Sequence, residues 1–261
     1  MSDHDDVLYT VRDHVGHVVL NRPQARNALT FAMYDRLAEI CATVPLDGSV
    51  RVLVISGAGG KAFAAGTDIS LFRDFTGAAD GLEYERLMSV RIGKIEACAV
   101  PMIAALAGAC TGGGAAVAAC CDIRIASADL RFGFPIARTL GNCLSSGSLQ
   151  KMVSLVGPGR VAEMLLTARL IDANEAKSIG LISEIATDHA SLMLRAEAMA
   201  ADMAQLAPIT LRVTKEALRR LRTAGTRPPD EDLIPAAYGS QDFREGLESF
   251  LAKRKPVWQG R

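Results

Sequence analysis

The stretch that decides the fold is "VPMIAALAGACTGGGAAVAACCD", residues 100–122. Its apolar first part, 100–108, predicts a buried β-strand, and the small residues after the glycines predict a helix over about 113–120. Three consecutive glycines, 112–114, lie between the two. The first N–H groups of a helix have no partner within it, and glycines let a ligand atom approach them closely. Such a turn can hold a phosphate or the negative oxygen that develops on a carbonyl group.

A second loop of similar design occurs earlier, in "GKAFAAGTDIS" at 60–70. The residues Ala65, Gly66 and Thr67 are small, and they lie between a predicted buried strand at 51–59 and an apparent helix start. A lone glycine triplet is better explained as a device that lets a helix pack closely on a strand. Two such loops after two successive strands can aim two N–H groups at one oxygen, so the pair favours a ligand site.

Composition limits the classes of function. The chain has 261 residues, which fits one large domain or a domain with a smaller appendage. Its 29 basic and 29 acidic residues give no electrostatic footprint for nucleic acid or an anionic membrane. No uncharged apolar stretch reaches the roughly 18 residues of a membrane span. The acidic, polar start lacks the features of a secretory signal, so we expect a cytoplasmic protein.

The six cysteines and four histidines carry no recognisable site pattern. No C-x-x-C occurs, and several cysteines lie in apolar runs, which favours buried free thiols over a disulfide framework. The histidines make no ligand-spaced set, so no metal site is expected.

Hydrophobic spacing predicts the remaining elements. In the first half we expect a hairpin over 7–23 with its turn near Asp13–Gly16, a helix over 29–44 capped by Thr30, a helix over 89–98, and one or two short strands in 121–135. From about residue 143 the pattern is helical, with Pro208 in the first turn of one helix, a loop at 226–235 and a closing helix. Strands that alternate with helices predict an α/β core, and the helical half predicts a cap or an assembly surface.

Several segments together resemble a known family. They are "HVVLNRPQARNALT" (17–30), "GGKAFAAGTDIS" (59–70), the stretch 100–135 from "VPMIAALAG" to "LRFGFP", "TKEALRR" (214–220) and "FREGLESFLAKRKPVWQGR" (243–261). These are similar to the motifs of the crotonase, or enoyl-CoA hydratase/isomerase, superfamily. The resemblance covers nearly the whole chain and is specific for the superfamily, though not for one reaction.

The resemblance implies an α/β fold with a crotonase-like spiral of ββα units and a helical C-terminal trimerisation region. The spiral core would span 1–200, and 201–261 would serve assembly and cover the coenzyme. Members of the family form homotrimers or dimers of trimers and bind acyl-CoA thioesters. Neither nucleic acid nor a membrane is expected as a partner. No cofactor is expected beyond the coenzyme A that the substrate carries.

The resemblance also implies roles for single residues. The backbone N–H groups of Thr67 and Gly113 would form an oxyanion hole for an enolate-like intermediate. Contacts with coenzyme A would come from Arg26, Ala28, Ala65, Asp68 and Ile69. Phe250 and Lys253 would help cover the coenzyme of a neighbouring subunit, although Lys253 is equally well explained as part of a solvated basic tail. Asp68 is also expected to cap the turn after its loop by binding backbone N–H groups.

The sequence departs from the family at both positions where hydratases carry glutamate. Ala116 stands one helical turn after Gly113, and Ile136 follows the proline of the F-G-x-P segment. The neighbouring loop, 134–148, holds polar but no acidic residues. Within it Cys143 is the one candidate for acid/base or nucleophilic chemistry, and a packed thiol is the simpler explanation.

Three functions remain open from the sequence. The chain is either a crotonase-type lyase or isomerase with an unusual acid/base set, a non-catalytic acyl-CoA-binding protein, or an assembly subunit. We expect ordinary hydration to be very weak or absent, because neither alanine nor isoleucine can take a proton from water.

Overall fold

The computed structural model describes residues 6–206, 208–223, 235, 238, 239 and 241–257. The strands are β1 Val7–Arg12, β2 Val15–Leu20, β3 Val52–Gly57, β4 Ala62–Ala64, β5 Met102–Leu106, β6 Ala109–Thr111, β7 Ile123–Ser127, β8 Arg131–Gly133 and β9 Glu184–Ala186. The helices are α1 Phe31–Thr43, α2 Ala78–Glu96, α3 Gly113–Cys120, α4 Ile136–Thr139, α5 Ser146–Val156, α6 Pro158–Leu166, α7 Ala173–Ser178, α8 His189–Ala204, α9 Pro208–Thr223 and α10 Gln241–Leu251. Short 3-10 turns occupy Pro23–Ala25 and Ile69–Phe72.

The strands form two sheets that the chain visits in turn. The larger sheet has the order β1-β2-β3-β5-β7-β9, with β1 and β2 antiparallel and every other neighbouring pair parallel. The smaller sheet has the order β4-β6-β8 and is parallel. The large-sheet strands β3, β5 and β7 are each followed by a strand of the small sheet and then by a helix: β3-β4-α2, β5-β6-α3 and β7-β8-α4. The chain therefore contains three ββα units, and the predicted α/β class is confirmed.

Burial on both faces explains why the central strands are almost entirely apolar. Every residue of β3 and β5 is buried. One face of the large sheet meets the main core, which includes α1 and α3. The other face is covered by α8 through Leu192, Ala196, Ala200 and Ala204, one per helical turn. Small side chains at this spacing let α8 lie close to the sheet.

Several predicted boundaries of helices and turns are confirmed, and others differ from the prediction. The helix capped by Thr30, the helix over 113–120 and the helix that begins at Pro208 all form as predicted. The hairpin turn lies at Asp13 and His14, both with positive φ, and Gly16 belongs to β2. The predicted loop at 226–235 lies outside the described residues except for 235.

The helix predicted over 89–98 was placed too late, because α2 begins at Ala78. Asp80 caps this start by accepting hydrogen bonds from the N–H groups of Thr76 and Gly77 at 2.6 and 3.0 Å. Eleven residues of helix were missed, since the first turns are polar and show little apolar spacing. None of the helices in the described part of the chain is long and apolar enough to cross a membrane.

Candidate active site

The two small-residue loops meet at Gly113 and Thr67. A Cβ atom added to Gly113 would lie 1.9 Å from the Tyr34 hydroxyl, 2.6 Å from Thr67 Oγ1 and 3.3 Å from the Thr67 backbone nitrogen. Only glycine fits between these groups, so the backbones of residues 67 and 113 lie side by side. A Cβ added to the next glycine, Gly114, would lie 2.3 Å from the Ala64 carbonyl oxygen, which shows that the triplet also serves close packing on β4.

The backbone of Thr67 is oriented by a short parallel bridge to Leu29. The Leu29 N–H donates to the carbonyl of Gly66, and the Asp68 N–H donates to the carbonyl of Leu29, both at 2.8 Å. In a parallel bridge, the residue whose two neighbours make the hydrogen bonds directs its own N–H away from the partner strand. The Thr67 N–H therefore points away from Leu29.

Gly113 is the first residue of α3, so its N–H has no acceptor within the helix. Across the part of the chain that the structure describes, neither Thr67 nor Gly113 donates a backbone hydrogen bond in a turn, loop or cap. Two adjacent main-chain donors are therefore available to a ligand, and one of them stands at the positive end of a helix.

A cavity of about 740 Å³ lies in front of these donors. The structure brings almost all of the predicted site residues to its wall: Arg26, Ala28, Ala65, Thr67, Asp68, Ile69, Gly113, Ala116, Ile136, Cys143 and Phe250. Lys253 is exposed and lies outside this wall. The described residues contain no group of three or more His, Cys, Asp or Glu side chains placed to hold a metal ion.

Asp68 is engaged in holding its loop. Its carboxylate caps the turn Ile69–Phe72, accepting hydrogen bonds from the Ser70 N–H at 3.1 Å and the Ser70 hydroxyl at 2.7 Å. The Arg22 guanidinium donates to the other oxygen at 3.1 Å. Burial works to raise the pKa of Asp68, but these hydrogen bonds outweigh it and hold the pKa below its ordinary value. This is the capping role expected from the sequence.

The carboxylates that the sequence analysis missed come from α2. One face of this helix lines the cavity with Glu85, Met88, Ser89, Ile92, Gly93 and Glu96. The spacing is that of a single helical stripe, and it delivers a carboxylate at each end. Glu85 fell outside the predicted helix, and the position of Glu96 relative to the glycine loops was not visible from spacing alone.

Glu85 is buried in an aromatic environment. Its carboxylate accepts a hydrogen bond from the Tyr238 hydroxyl at 2.8 Å, and Tyr238 packs against Tyr84 and Phe75. Burial is the main cause that raises the pKa values of Tyr84 and Tyr238, so both hydroxyls stay protonated. Glu85 therefore faces the cavity from a wall of neutral aromatic side chains.

Tyr34 connects the two loops from the side. Its hydroxyl lies 2.9 Å from Thr67 Oγ1, and it occupies the space beside Gly113 where a side chain would otherwise stand. Burial raises the pKa of Tyr34, so the hydroxyl keeps its proton near neutral pH.

Cys143 is half-buried in the segment between α4 and α5, and it lines the cavity. It precedes the cap of α5, where the Ser145 hydroxyl accepts from the Ser148 N–H. Ala116 and Ile136 reach the same cavity from α3 and α4.

These features define a class of protein: a two-sheet ββα spiral in which two backbone loops meet at the wall of a cavity. A family model described as enoyl-CoA hydratase/isomerase matches residues 10–261. The chain therefore belongs to the enoyl-CoA hydratase/isomerase family, within the crotonase superfamily.

Individual relatives are similar over almost their full length. A crotonyl-CoA hydratase of Syntrophomonas wolfei is 31% identical, with 97% of each chain covered. A mevalonyl-coenzyme A hydratase, SIDH, of Beauveria bassiana is 33% identical over 98% of this chain and 95% of that protein.

Solved structures agree with the fold. An enoyl-CoA hydratase/carnithine racemase from Magnetospirillum magneticum is 34% identical, with a TM-score of 0.79 over 98% of this chain and 96% of that one. A methylmalonyl-CoA decarboxylase in complex with 2-nitronate-propionyl-CoA is 26% identical, with a TM-score of 0.88 over 99% of this chain and all of that one.

Proposed function

We propose that this protein is an enzyme that binds an acyl-CoA thioester and stabilises its enolate-like form. The thioester oxygen would sit between the backbone N–H groups of Thr67 and Gly113. The observation that carries the proposal is the contact of these two backbones at the cavity wall, with the two N–H groups left without turn, loop or cap acceptors in the described chain.

The chemistry follows from where charge develops. When a bond to the α-carbon breaks and its electrons move toward the thioester, negative charge grows on the carbonyl oxygen. Fixed N–H donors at that oxygen stabilise the charge without reorganising, and losing one such donor typically costs about 10²–10³ in rate. Arg26, Ala28, Ala65 and Ile69 lie near one another on the cavity wall, where we propose that they contact the coenzyme.

Proton transfer needs a side chain, and we propose Glu85 for this role. Among the described residues that line the cavity, the carboxylates are Asp68, Glu85 and Glu96. Asp68 is paired with Arg22, and Glu96 contacts two cations, Lys151 and Arg222. Glu85 lines the cavity from the middle of α2 and accepts a hydrogen bond from the Tyr238 hydroxyl at 2.8 Å, and a carboxylate at the wall of the substrate cavity can take a proton. Cys143 is the second candidate because its side chain reaches the same cavity.

We propose that ordinary hydration is weak. The family resemblance places Ala116 and Ile136 where hydratases carry glutamate, and neither side chain can activate water. General acid–base assistance is typically worth about 10²–10⁴ per group. The relatives named as hydratases make hydration the reaction to measure first.

The test compares two reactions of purified protein: hydration of crotonyl-CoA, and exchange of the α-protons of butyryl-CoA in D₂O followed by mass spectrometry. We expect measurable exchange and very slow hydration, with the double substitution Ala116→Glu and Ile136→Glu increasing hydration. Rapid hydration by the wild type would contradict the proposal that hydration is weak. Tight binding with neither exchange nor turnover would instead support a non-catalytic acyl-CoA-binding protein.

We also propose a cytoplasmic homotrimer or dimer of trimers, with a spiral core over 1–200 and an assembly region over 201–261. Support comes from α9, which exposes Val213, Leu218 and Leu221. Large exposed apolar side chains on one helix are typical of an interface. Light scattering at micromolar concentration would overturn this assembly if it gave the mass of a monomer.

A further inference from the structure

One part of the cavity wall is built from charged side chains that the proposed reaction does not use. Glu96 comes from the last turn of α2, Lys151 from α5 and Arg222 from the end of α9, and all three line the cavity. We call these three residues the charged cluster. Their side chains are 16%, 6% and 21% exposed, so the cluster is largely withdrawn from solvent.

The cluster has more positive than negative charge. The Lys151 ammonium contacts one carboxylate oxygen of Glu96, and the Arg222 guanidinium contacts the other. Two cations thus share one anion. Glu85, on the same face of α2, is eleven residues away, which is about 16 Å along the helix axis. It is therefore too distant to neutralise the surplus charge.

Within the described part of the chain, hydrogen-bond donors of the two cations also remain. An ammonium has three donors and a guanidinium has five. Lys151 uses one on Glu96 and directs another at the Cys120 sulfur, 3.2 Å away, which is a weak acceptor. A partly buried cation with surplus donors is stabilised strongly by a second anion, since burial penalises unpaired charge.

The cluster is placed at a useful distance from the reacting centre. Gly113 and Cys120 are the first and last residues of α3, which sets them about 10 Å apart along the helix axis. Lys151 contacts Cys120, so α3 spans from the proposed oxyanion donors to the cluster. Ala116, Ile92 and Met88 line the same cavity and supply apolar surface.

We propose that the charged cluster binds a carboxylate at the far end of the acyl group, so that the substrates are acyl-CoA thioesters with a distal carboxylate. This inference rests on the proposed function. It also gives a reason for the apolar residues at 116 and 136, because glutamates there would place negative charge near an anionic acyl chain. The apolar wall admits the chain, and Lys151 with Arg222 selects its charged end.

The test is calorimetric titration of the full-length protein with a matched pair of ligands, octanoyl-CoA and its ω-carboxy counterpart. We expect the carboxylate to bind about tenfold tighter or more, the range of one charge-assisted hydrogen bond. Arg222→Gln should remove most of this preference. Glu96→Gln should increase it, because it leaves two cations without their anion. Neither substitution should change the affinity for octanoyl-CoA.

Arg220→Gln on α9 is the matched control, since Arg220 is 75% exposed and pairs with Glu216. Equal affinity for the two ligands, unchanged in both cluster variants, would overturn the inference and leave the proposed function standing. Parallel losses for both ligands in Glu96→Gln would show that the cluster only supports the fold, which also overturns it. Failure of the wild type to bind either ligand would refute the proposed function itself.

Discussion

The cavity presents hydrogen-bond donors in two different ways. At Thr67 and Gly113 the donors are main-chain N–H groups, which are uncharged and fixed by a bridge and a helix start. At Lys151 and Arg222 they are charged side chains that already share a carboxylate. Uncharged donors suit an oxygen that becomes negative only during a reaction. Charged donors suit a group that carries its charge before it binds. Under the two proposals, the difference separates chemistry at one end from substrate selection at the other.

The largest expected effect is that of Glu85→Gln. It tests whether the end of the cavity formed by the Thr67 and Gly113 backbones needs a separate side chain that transfers the proton. Gln is nearly isosteric and still accepts from Tyr238, but it cannot take a proton. We expect α-proton exchange to fall about 10²–10⁴-fold with little change in the KM. Glu83→Gln is the control, because this exposed residue of the same helix pairs with Arg86. Unchanged exchange in Glu85→Gln would move the assignment to Cys143, tested by Cys143→Ala.

The next effect is that of Gly113→Ala, which tests the backbone donors directly. The new methyl group would lie 1.9 Å from the Tyr34 hydroxyl and 2.6 Å from Thr67 Oγ1, so the two loops must separate. We expect the kcat of α-proton exchange to fall about 10²–10³-fold, which is the cost of one lost oxyanion donor. Gly159→Ala is the control, since a Cβ there would meet nothing within 4 Å. Equal activity of the two variants would show that Gly113 serves packing alone.

The α/β class was predictable because the long strands and most helices carry clear local signals, whereas the ββα spiral was implied by the family resemblance. The strand at 100–108, the glycines and the helix at 113–120 follow from apolar runs and turn residues, and they repeat the pattern of 51–70. The three-residue strands β4, β6 and β9 were missed, because so short a strand shows no periodicity and forms only by pairing with distant neighbours.

The two ends of the cavity differ in how far sequence reveals them. The two small-residue loops were recognised because small residues at a strand end carry a local meaning, and the family resemblance then singled out Thr67 and Gly113 within them. Lys151 and Glu96 are 55 residues apart, and Arg222 joins them from a third helix. Each is unremarkable in its own segment, since lysine, arginine and glutamate are ordinary helix residues. Only packing shows that they converge.

A smaller effect is expected from Asn27→Ala. It tests how far the loop at 22–28, beside the end of the cavity formed by Thr67 and Gly113, depends on a buried polar side chain for its stability. Asn27 is fully buried, donates to the carbonyls of Ala58 and Ala62 at 3.0 and 2.8 Å, and accepts from the Arg22 N–H at 3.0 Å. Its loss leaves three backbone groups unpaired, so the free energy of unfolding should fall by about 2–3 kcal/mol. Chemical denaturation measures this.

Asn174→Ala on α7 is the comparison for that measurement, because Asn174 is exposed. We expect it to stay within about 0.5 kcal/mol of the wild type. Equal stability of the two variants would show that the loop at 22–28 is held by other contacts.

The smallest effect is expected from Tyr34→Phe, which removes one hydrogen bond between the loops and leaves both N–H donors in place. The lost hydrogen bond joins the Tyr34 hydroxyl to Thr67 Oγ1 at 2.9 Å and is worth about 0.5–1.5 kcal/mol. If this free energy stabilises only the transition state, the rate of α-proton exchange should fall roughly 2- to 13-fold. The substitution also removes the atom that a methyl group on Gly113 would strike first. The double variant Gly113→Ala, Tyr34→Phe should therefore be more active than Gly113→Ala alone, although Thr67 Oγ1 still restricts the methyl group. Strict additivity of the two rate losses would mean that Tyr34 does not set the spacing between the donors.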